Sequence, residues 1–186
     1  MELWPKLELT WLNGWLLLLA YLVIFGGTVL SFPKDVIAKL YDRANWTRIQ
    51  KTMTLIGKVI STILFILLVW TPLKVGKPVF WIGLALWVLG MAGVVIALFN
   101  FKAMAEGNPA TRGLYKVSRN PQWLTLMIAF VGSGLATGSG VALLLFLVAA
   151  VCYHFRILGE ERACLEQYGD SYRNYMKQIP RYLLFF

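Results

Sequence analysis

The sequence predicts an all-α fold: a polytopic membrane helix bundle of five transmembrane helices, with a cytoplasmic helical extension at its C-terminal end. Of the 186 residues, 59% are hydrophobic and only 15% are charged, and the mean hydropathy is +0.65. A soluble domain carries roughly 25% charged residues. A chain this short also has too much surface to hide the excess apolar side chains in a core. Lipid must therefore cover them.

Five apolar stretches are candidates for membrane spans, since a helix needs about 20 residues to cross the hydrocarbon. They cover residues 11–32, 53–70, 79–101, 123–135 and 141–158. The first is too long for a signal-peptide core and has no small-residue cleavage site after it. The fourth reaches spanning length if its helix begins near Pro121, because proline is favoured as a first helical residue. The Ala-Thr-Gly-Ser-Gly stretch at 136–140 predicts a tight turn between the last two helices.

The first three predicted helices have the composition of a scaffold. They contain five glycines of the kind that permits close approach between membrane helices. These are Gly26, Gly27, Gly83, Gly90 and Gly93. The polar residues that could carry chemistry follow these helices. We therefore divide the chain into a three-helix membrane scaffold, 1–101, and a second region, 102–186, that would carry any activity.

Basic residues predict the orientation. Fourteen of the 18 Lys and Arg residues lie between the first and second spans, between the third and fourth, or in and after the last turn of the fifth. The opposite side holds Lys6, Lys74 and Lys77, and Lys58 near the cytoplasmic end of the second span is interpreted as snorkelling to the interface. The positive-inside rule then places the N-terminus outside and the C-terminus in the cytoplasm, as expected in a bacterial inner membrane. Spread in this way, the net charge of +9 suits anionic lipid and not nucleic acid.

One polar stretch precedes the fourth span and covers residues 106–123. It has the turn residues of an ordered loop and ends on Pro121, which opens the helix. Free backbone N–H groups at that helix start, with Arg119 beside them, favour an anion. An ordinary basic loop that obeys the positive-inside rule would have the same charge.

A second polar stretch, 153–175, continues the fifth helix from lipid into water. Glu160 and Glu161 lie at the boundary, where paired acids are costly unless they are exposed or matched to cations. They could hold a cationic part of a cofactor, or they could be a solvated helix end. Arg156 and Glu160 are four residues apart and could pair. His154 is interpreted as a packed interfacial residue, and with one histidine in the chain no metal site is predicted.

Together the two stretches resemble a pair of motifs found in integral membrane methyltransferases. Residues 111–123 are similar to the signature Gly-x-Tyr-…-Arg-His/Asn-Pro-x-Tyr of that superfamily. Glu160-Glu161 and the residues up to Tyr175 are similar to its C-terminal Glu-Glu-x3-Leu-x2-Tyr/Phe-Gly-x2-Tyr-x2-Tyr pattern. The superfamily includes isoprenylcysteine carboxyl methyltransferase and the phospholipid N-methyltransferases. The resemblance covers about residues 100–182, and the first three helices match as generic spans.

The resemblance implies an enzyme that uses S-adenosylmethionine, bound between the start of the fourth helix and the extension of the fifth. Region 102–186 would then be the cofactor-binding and catalytic region. The residues it implies as catalytic are Arg119, Asn120 and Glu161. The residues it implies for cofactor binding are Tyr115, Arg119, Asn120, Pro121, Glu160, Glu161, Tyr168 and Tyr172. The acceptor would be a lipid or a lipidated small molecule.

Two departures from the isoprenylcysteine-type motif bear on the acceptor. Asn120 stands where those enzymes usually have His, and Trp123 replaces the common Tyr. Asn-Pro is closer to the phospholipid N-methyltransferase version, which favours an amine phospholipid. The alternatives are a carboxyl methyltransferase of the isoprenylcysteine type, an NADPH-dependent membrane reductase with a related C-terminal architecture, and a non-catalytic membrane protein.

Overall fold

The computed structural model describes residues 1–42, 46–103, 109 and 111–183. The regular elements of this part of the chain are seven α-helices and one short 3₁₀ helix. They are α1 (Trp15–Leu30), α2 (Lys34–Leu40), α3 (Arg48–Trp70), α4 (Pro78–Lys102), the 3₁₀ helix (Gly113–Lys116), α5 (Pro121–Thr137), α6 (Gly140–Tyr168) and α7 (Asp170–Gln178). The all-helical fold is confirmed. Sequence reasoning did not predict α2 or the 3₁₀ helix.

Three helices within the described ranges are long and apolar enough to cross a membrane: α3, α4 and α6. The helix α1 is apolar but has 16 residues, and α5 has 17. The chain is therefore an integral membrane protein by composition and helix length, and the count of five spans stays a prediction. Arg43 of the first basic loop, Glu106 of the second and the last residues, 184–186, lie outside the described residues.

Two helices begin at other residues than the sequence predicted. The helix α1 begins at Trp15 instead of residue 11, because the backbone before it bonds to the loop after α3: Gly14 N–H donates to Thr71 O at 2.9 Å. The helix α3 begins at Arg48 instead of residue 53, because Thr47 and Gln50 form a reciprocal capping box. Lys58 is consequently ten residues into α3, on its exposed face, and not about one turn from its start.

The predicted hairpin joins α5 to α6. The helix α5 ends at Thr137, and Gly138 follows with φ +63°, a conformation that glycine adopts without strain. The Ser139 hydroxyl accepts a hydrogen bond from Ala142 N at 3.1 Å and caps α6. The helix α6 then runs without interruption for 29 residues to Tyr168. This confirms the prediction that one helix continues from the apolar stretch through Glu160 and Glu161.

The bundle is built mainly from two helix pairs, α4 with α5 and α3 with α6. In the first pair the backbones nearly touch: a Cβ added at Gly90 would lie 2.4 Å from Ala129 N, and one at Gly132 would lie 2.5 Å from Trp87 N. The prediction of close approach is confirmed at Gly83, Gly90 and Gly93. It is wrong at Gly26 and Gly27 of α1, where nothing lies within 4 Å of an added Cβ.

Loop backbones tie together the end of the bundle that holds the α5–α6 turn. Glu2 N–H donates to Gly138 O at 3.0 Å, and Gly140 N–H returns to Glu2 O at 2.8 Å. Lys74 N–H donates to Ala136 O at 3.0 Å. The fully buried side chain of Asn13 donates to Val69 O at 3.0 Å. The segment before α1, the α3–α4 loop and the α5–α6 turn therefore form one hydrogen-bonded layer.

Candidate active site

A single buried carboxylate joins the two polar stretches at the other end of the bundle. The Glu161 side chain is only 5% exposed. Its Oε1 accepts hydrogen bonds from Arg119 Nε at 3.0 Å and from Asn120 Nδ2 at 2.9 Å. Its Oε2 accepts from Arg181 Nε at 3.0 Å, with Arg181 Nη2 at 2.9 Å. Two guanidiniums and one amide thus satisfy one carboxylate, as a buried charge requires.

Local structure before α5 delivers Arg119 and Asn120 to this carboxylate. Pro121 is the first residue of α5 and is itself buried, so the two polar residues lie at the helix start instead of within it. Asn120 makes no cap bond to its own helix. Its backbone N–H donates to Ser118 Oγ at 3.1 Å, which leaves its side chain to reach across to α6.

The segment after α7, Ile179–Tyr182, crosses from the start of α5 to α6, and we call it the strap. Arg119 N–H donates to Pro180 O at 2.9 Å, and Arg119 Nη1 donates to Ile179 O at 2.8 Å. At the other end Tyr182 Oη lies 2.9 Å from His154 Nδ1. His154 is therefore bonded to the strap, and its place at the membrane interface stays a prediction.

Glu160 faces different partners from Glu161. Its Oε1 lies 2.6 Å from Arg156 Nε, which is the pair that the four-residue spacing predicts. The guanidinium carbon of Arg156 lies 4.7 Å from the ring centre of Trp123 and 5.7 Å from that of Trp46. The Glu160 side chain is 30% exposed. The two glutamates are therefore neighbours in sequence with separate environments, one paired at the surface and one buried between two helices and the strap.

The tyrosines implied by the resemblance line the cluster unequally. Tyr115 is buried, its hydroxyl accepts from Gln122 Nε2 at 3.1 Å, and its carbonyl accepts from Tyr175 Oη at 2.6 Å. Tyr172 is also buried, whereas Tyr168 at the end of α6 is partly exposed. Burial is the main cause that raises the pKa of Tyr115 and of Tyr172 above the usual phenol value. Both hydroxyls therefore stay protonated at neutral pH.

Sequence reasoning missed two residues of the cluster. Ser118 accepts from Asn120 and donates to Arg181 O at 2.9 Å, and Arg181 binds Glu161. Arg181 was counted only among the basic residues of the cytoplasmic side. Residues 106–108 and 110 of the first polar stretch lie outside the described residues.

A helical membrane protein with a buried Arg–Asn–Glu cluster at one end of its bundle is consistent with the methyltransferase resemblance, and the comparisons agree. A family model described as phospholipid methyltransferase matches residues 75–171, just over half of the chain. The chain belongs to this family of integral membrane methyltransferases.

A 71-residue stretch is also 35% identical to protein-S-isoprenylcysteine O-methyltransferase of Schizosaccharomyces pombe. That alignment covers 38% of this chain and 30% of the relative, so the chain matches less than a third of the relative's length. No solved structure matches the chain significantly.

Proposed function

We propose that the chain transfers a methyl group from S-adenosylmethionine to a membrane-partitioned acceptor at the Arg119–Asn120–Glu161 cluster. The observation that supports this most is that the two motifs of the resemblance, 41 residues apart from Asn120 to Glu161, meet in one buried hydrogen-bonded cluster. If the two motifs were unrelated polar stretches, Arg119 and Glu161 would be solvated separately instead of bonded to each other. Family membership supports methyl transfer as the reaction.

The charges around the cluster fit the cofactor. The amino-acid part of S-adenosylmethionine carries a carboxylate as well as ammonium and sulfonium charges. The site offers both signs: Arg119 is bound to Glu161, and the partly exposed Glu160 precedes Glu161 in α6. Arg119 would hold the carboxylate and Glu160 the ammonium. Tyr115, Pro121, Tyr168 and Tyr172 would supply aromatic and apolar surface for the adenosine. When bound, the cofactor supplies an electrophilic methyl group.

Asn120 would orient the acceptor. Its Nδ2 donates to Glu161 Oε1 and, at 3.4 Å, to Arg181 O. Since a carboxylate and a carbonyl can only accept, the amide nitrogen must face them, and the amide oxygen Oδ1 faces the other way as an acceptor. If an acceptor amine donated an N–H to Oδ1, the lone pair on its nitrogen would be held in a fixed direction. A neutral amide cannot take up a proton, so the contribution of Asn120 is alignment.

The acceptor class is proposed to be an amine phospholipid, on the Asn-Pro form of the motif and the family match. The stretch similar to the isoprenylcysteine enzyme supports a second candidate, the carboxylate of an isoprenylated cysteine. In both cases a lipid-borne acceptor would reach the site from the membrane, because the cluster lies where the apolar helix α5 begins and where α6 continues past its apolar stretch.

A labelling experiment tests the function and the acceptor together. Purified protein is incubated with methyl-labelled S-adenosylmethionine in three parallel reactions. Each contains one acceptor: phosphatidylethanolamine vesicles, farnesylated cysteine or a water-soluble amine. We expect label in the phospholipid, near-complete loss in Arg119→Ala, and normal transfer in Arg162→Ala, whose exposed guanidinium pairs with Glu166. Label in the soluble amine and in neither lipid-like acceptor would contradict the proposal. Binding of NADPH in place of S-adenosylmethionine, measured by calorimetric titration, would favour a reductase.

We also propose that α1, α3, α4, α5 and α6 all cross the membrane, with the N-terminus outside and the C-terminus in the cytoplasm of a bacterial inner membrane. The one-sided loop charge supports this orientation. Two single-cysteine variants report the two sides of the membrane. They are Lys77→Cys and Lys177→Cys, each in a chain in which Cys152 and Cys164 are replaced by Ala. An impermeant maleimide should label Lys77→Cys in intact cells and Lys177→Cys only after permeabilisation. The reverse pattern would invert the topology.

A further inference from the structure

The two oxygens of Glu161 are held by different parts of the chain. Oε1 is bound by Arg119 and Asn120 of the first polar stretch. The donor to Oε2 is Arg181 of the strap, which places both Nε and Nη2 within 3.0 Å of that oxygen. The Arg181 side chain is 22% exposed, against 2% for Arg119. Arg181 therefore closes the cluster from its solvent side.

The strap backbone fixes the position from which Arg181 acts. Its own carbonyl accepts from Ser118 Oγ at 2.9 Å, and the carbonyl before it accepts from Arg119 N–H. The residue after it, Tyr182, bonds to His154 of α6. Because three consecutive residues of the strap are bonded on both sides of the site, the backbone that carries the Arg181 side chain is fixed. The planar guanidinium adds to this, since it loses less entropy for each hydrogen bond that it forms.

The orientation of the Asn120 amide depends on this arrangement. Asn120 Nδ2 faces Glu161 Oε1 and the carbonyl of Arg181, so Arg181 sets both acceptors that determine where Oδ1 points. Without its guanidinium, Oε2 loses the donor that fixes it and the carboxylate can turn about its last side-chain bond. The Asn120 amide then keeps the backbone carbonyl at residue 181 at 3.4 Å, but the position of its nearer acceptor, Oε1, is held by Arg119 alone.

We propose that Arg181 is a positioning residue for methyl transfer, an inference that rests on the proposed function. Arg181 fixes Glu161, and Glu161 in turn fixes the Asn120 amide that aligns the acceptor. Arg181 need not touch the cofactor or the acceptor. Its loss should therefore lower kcat and leave the KM for S-adenosylmethionine nearly unchanged.

The test compares Arg181→Ala and Arg181→Lys with Arg173→Ala as the matched control. Arg173 lies in the same part of the chain and pairs with Asp170 at the surface. Loss of a charge-assisted hydrogen bond predicts a fall in kcat of about ten- to a hundredfold in Arg181→Ala. Arg181→Lys should be intermediate, because an ammonium is a point charge without the planar fork. Guanidinium ion added below denaturing concentrations should partly restore Arg181→Ala and have no effect on Arg173→Ala.

Hydrogen exchange at the Arg119 amide gives a readout without turnover, because that N–H is bonded to Pro180 O of the strap. We expect faster exchange in Arg181→Ala than in Arg173→Ala. Wild-type kcat in Arg181→Ala would overturn the inference. So would a loss of activity in folded protein that guanidinium does not restore and that Arg181→Lys shares in full. If the wild-type chain transfers no methyl group, the proposed function fails, and unchanged Arg119 exchange would then overturn the role of Arg181 as well.

Discussion

Replacing Glu161 by Gln is expected to lower the free energy of unfolding by about 3 kcal/mol, because the buried Arg119 guanidinium and the partly exposed Arg181 guanidinium lose their counter-ion. The substituted amide would also turn a donor toward one of its neighbours, all of which are donors. We expect methyl transfer to fall at least a hundredfold in the fraction that stays folded. Denaturant titration in detergent and labelled-methyl transfer measure the two effects.

Glu160→Gln is the matched control for this change. Glu160 is the preceding residue of the same helix, but its side chain is 30% exposed and pairs with Arg156 near the surface. The loss of stability should be smaller, about 1 kcal/mol, because the pair is partly open to solvent, which weakens its attraction. The comparison is of stability, since Glu160 is itself proposed to bind the cofactor; equal stability of the two variants would mean that Glu161 is not the centre of a buried cluster.

Gly132→Ala is expected to destabilise the bundle by about 3 kcal/mol, because overpacking is costly where the neighbours cannot move. The added Cβ would lie 2.5 Å from Trp87 N and 2.6 Å from Gly83 O. Both atoms belong to the backbone of α4, so no side-chain rotation can relieve the contact. The expected result is a strong loss of folded protein after membrane extraction, measured by size-exclusion chromatography and denaturant titration.

Gly26→Ala serves as the control, since it makes the same substitution in an apolar helix where nothing lies within 4 Å of the added carbon. Alanine has the higher helix propensity, by about 0.8–1.0 kcal/mol in model helices, so this variant should be at least as stable as the wild-type chain. Equal behaviour of the two variants would contradict the close packing of α4 on α5.

The sequence predicts the helices well because each depends on a local signal. Apolar length marks α3, α4 and α6, proline opens α5, and glycine with serine marks the turn before α6. The starts of α1 and α3 differ from the predicted ones. The start of α1 depends on a contact with a distant segment, and α3 begins at a cap that precedes its apolar stretch. The bond from the Asn13 amide to Val69 O near the end of α3 is an example of such a contact, because no periodicity in either segment shows it.

The candidate site divides in the same way. Arg119, Asn120 and Glu161 belong to motifs, and the pairing of Arg156 with Glu160 follows from helical spacing. Arg181 lies in an irregular segment that is held by backbone carbonyls, and carbonyl positions carry no mark in the side-chain sequence. Glu160 and Glu161 differ in burial and in partners because the strap covers one face of α6 and not the other. That placement follows from the end of α7 at Gln178 and cannot be derived from the pattern of charges.

The hydrogen-bonded layer of loops at the α5–α6 turn has a mechanical consequence for the far end of the bundle. It fixes the two helix pairs to each other at one end, while close glycine contacts keep α4 and α5 together as a rigid unit. The helix α6 has 29 residues and is about 43 Å long. Glu161 lies about 32 Å along this helix, so a rotation of about 5° at the fixed end moves it by about 3 Å. Leverage of this kind would open a gap of about 3 Å between the helix pairs beside Glu161 without melting any helix, once the hydrogen bonds from Arg119, Asn120 and Arg181 to Glu161 are released.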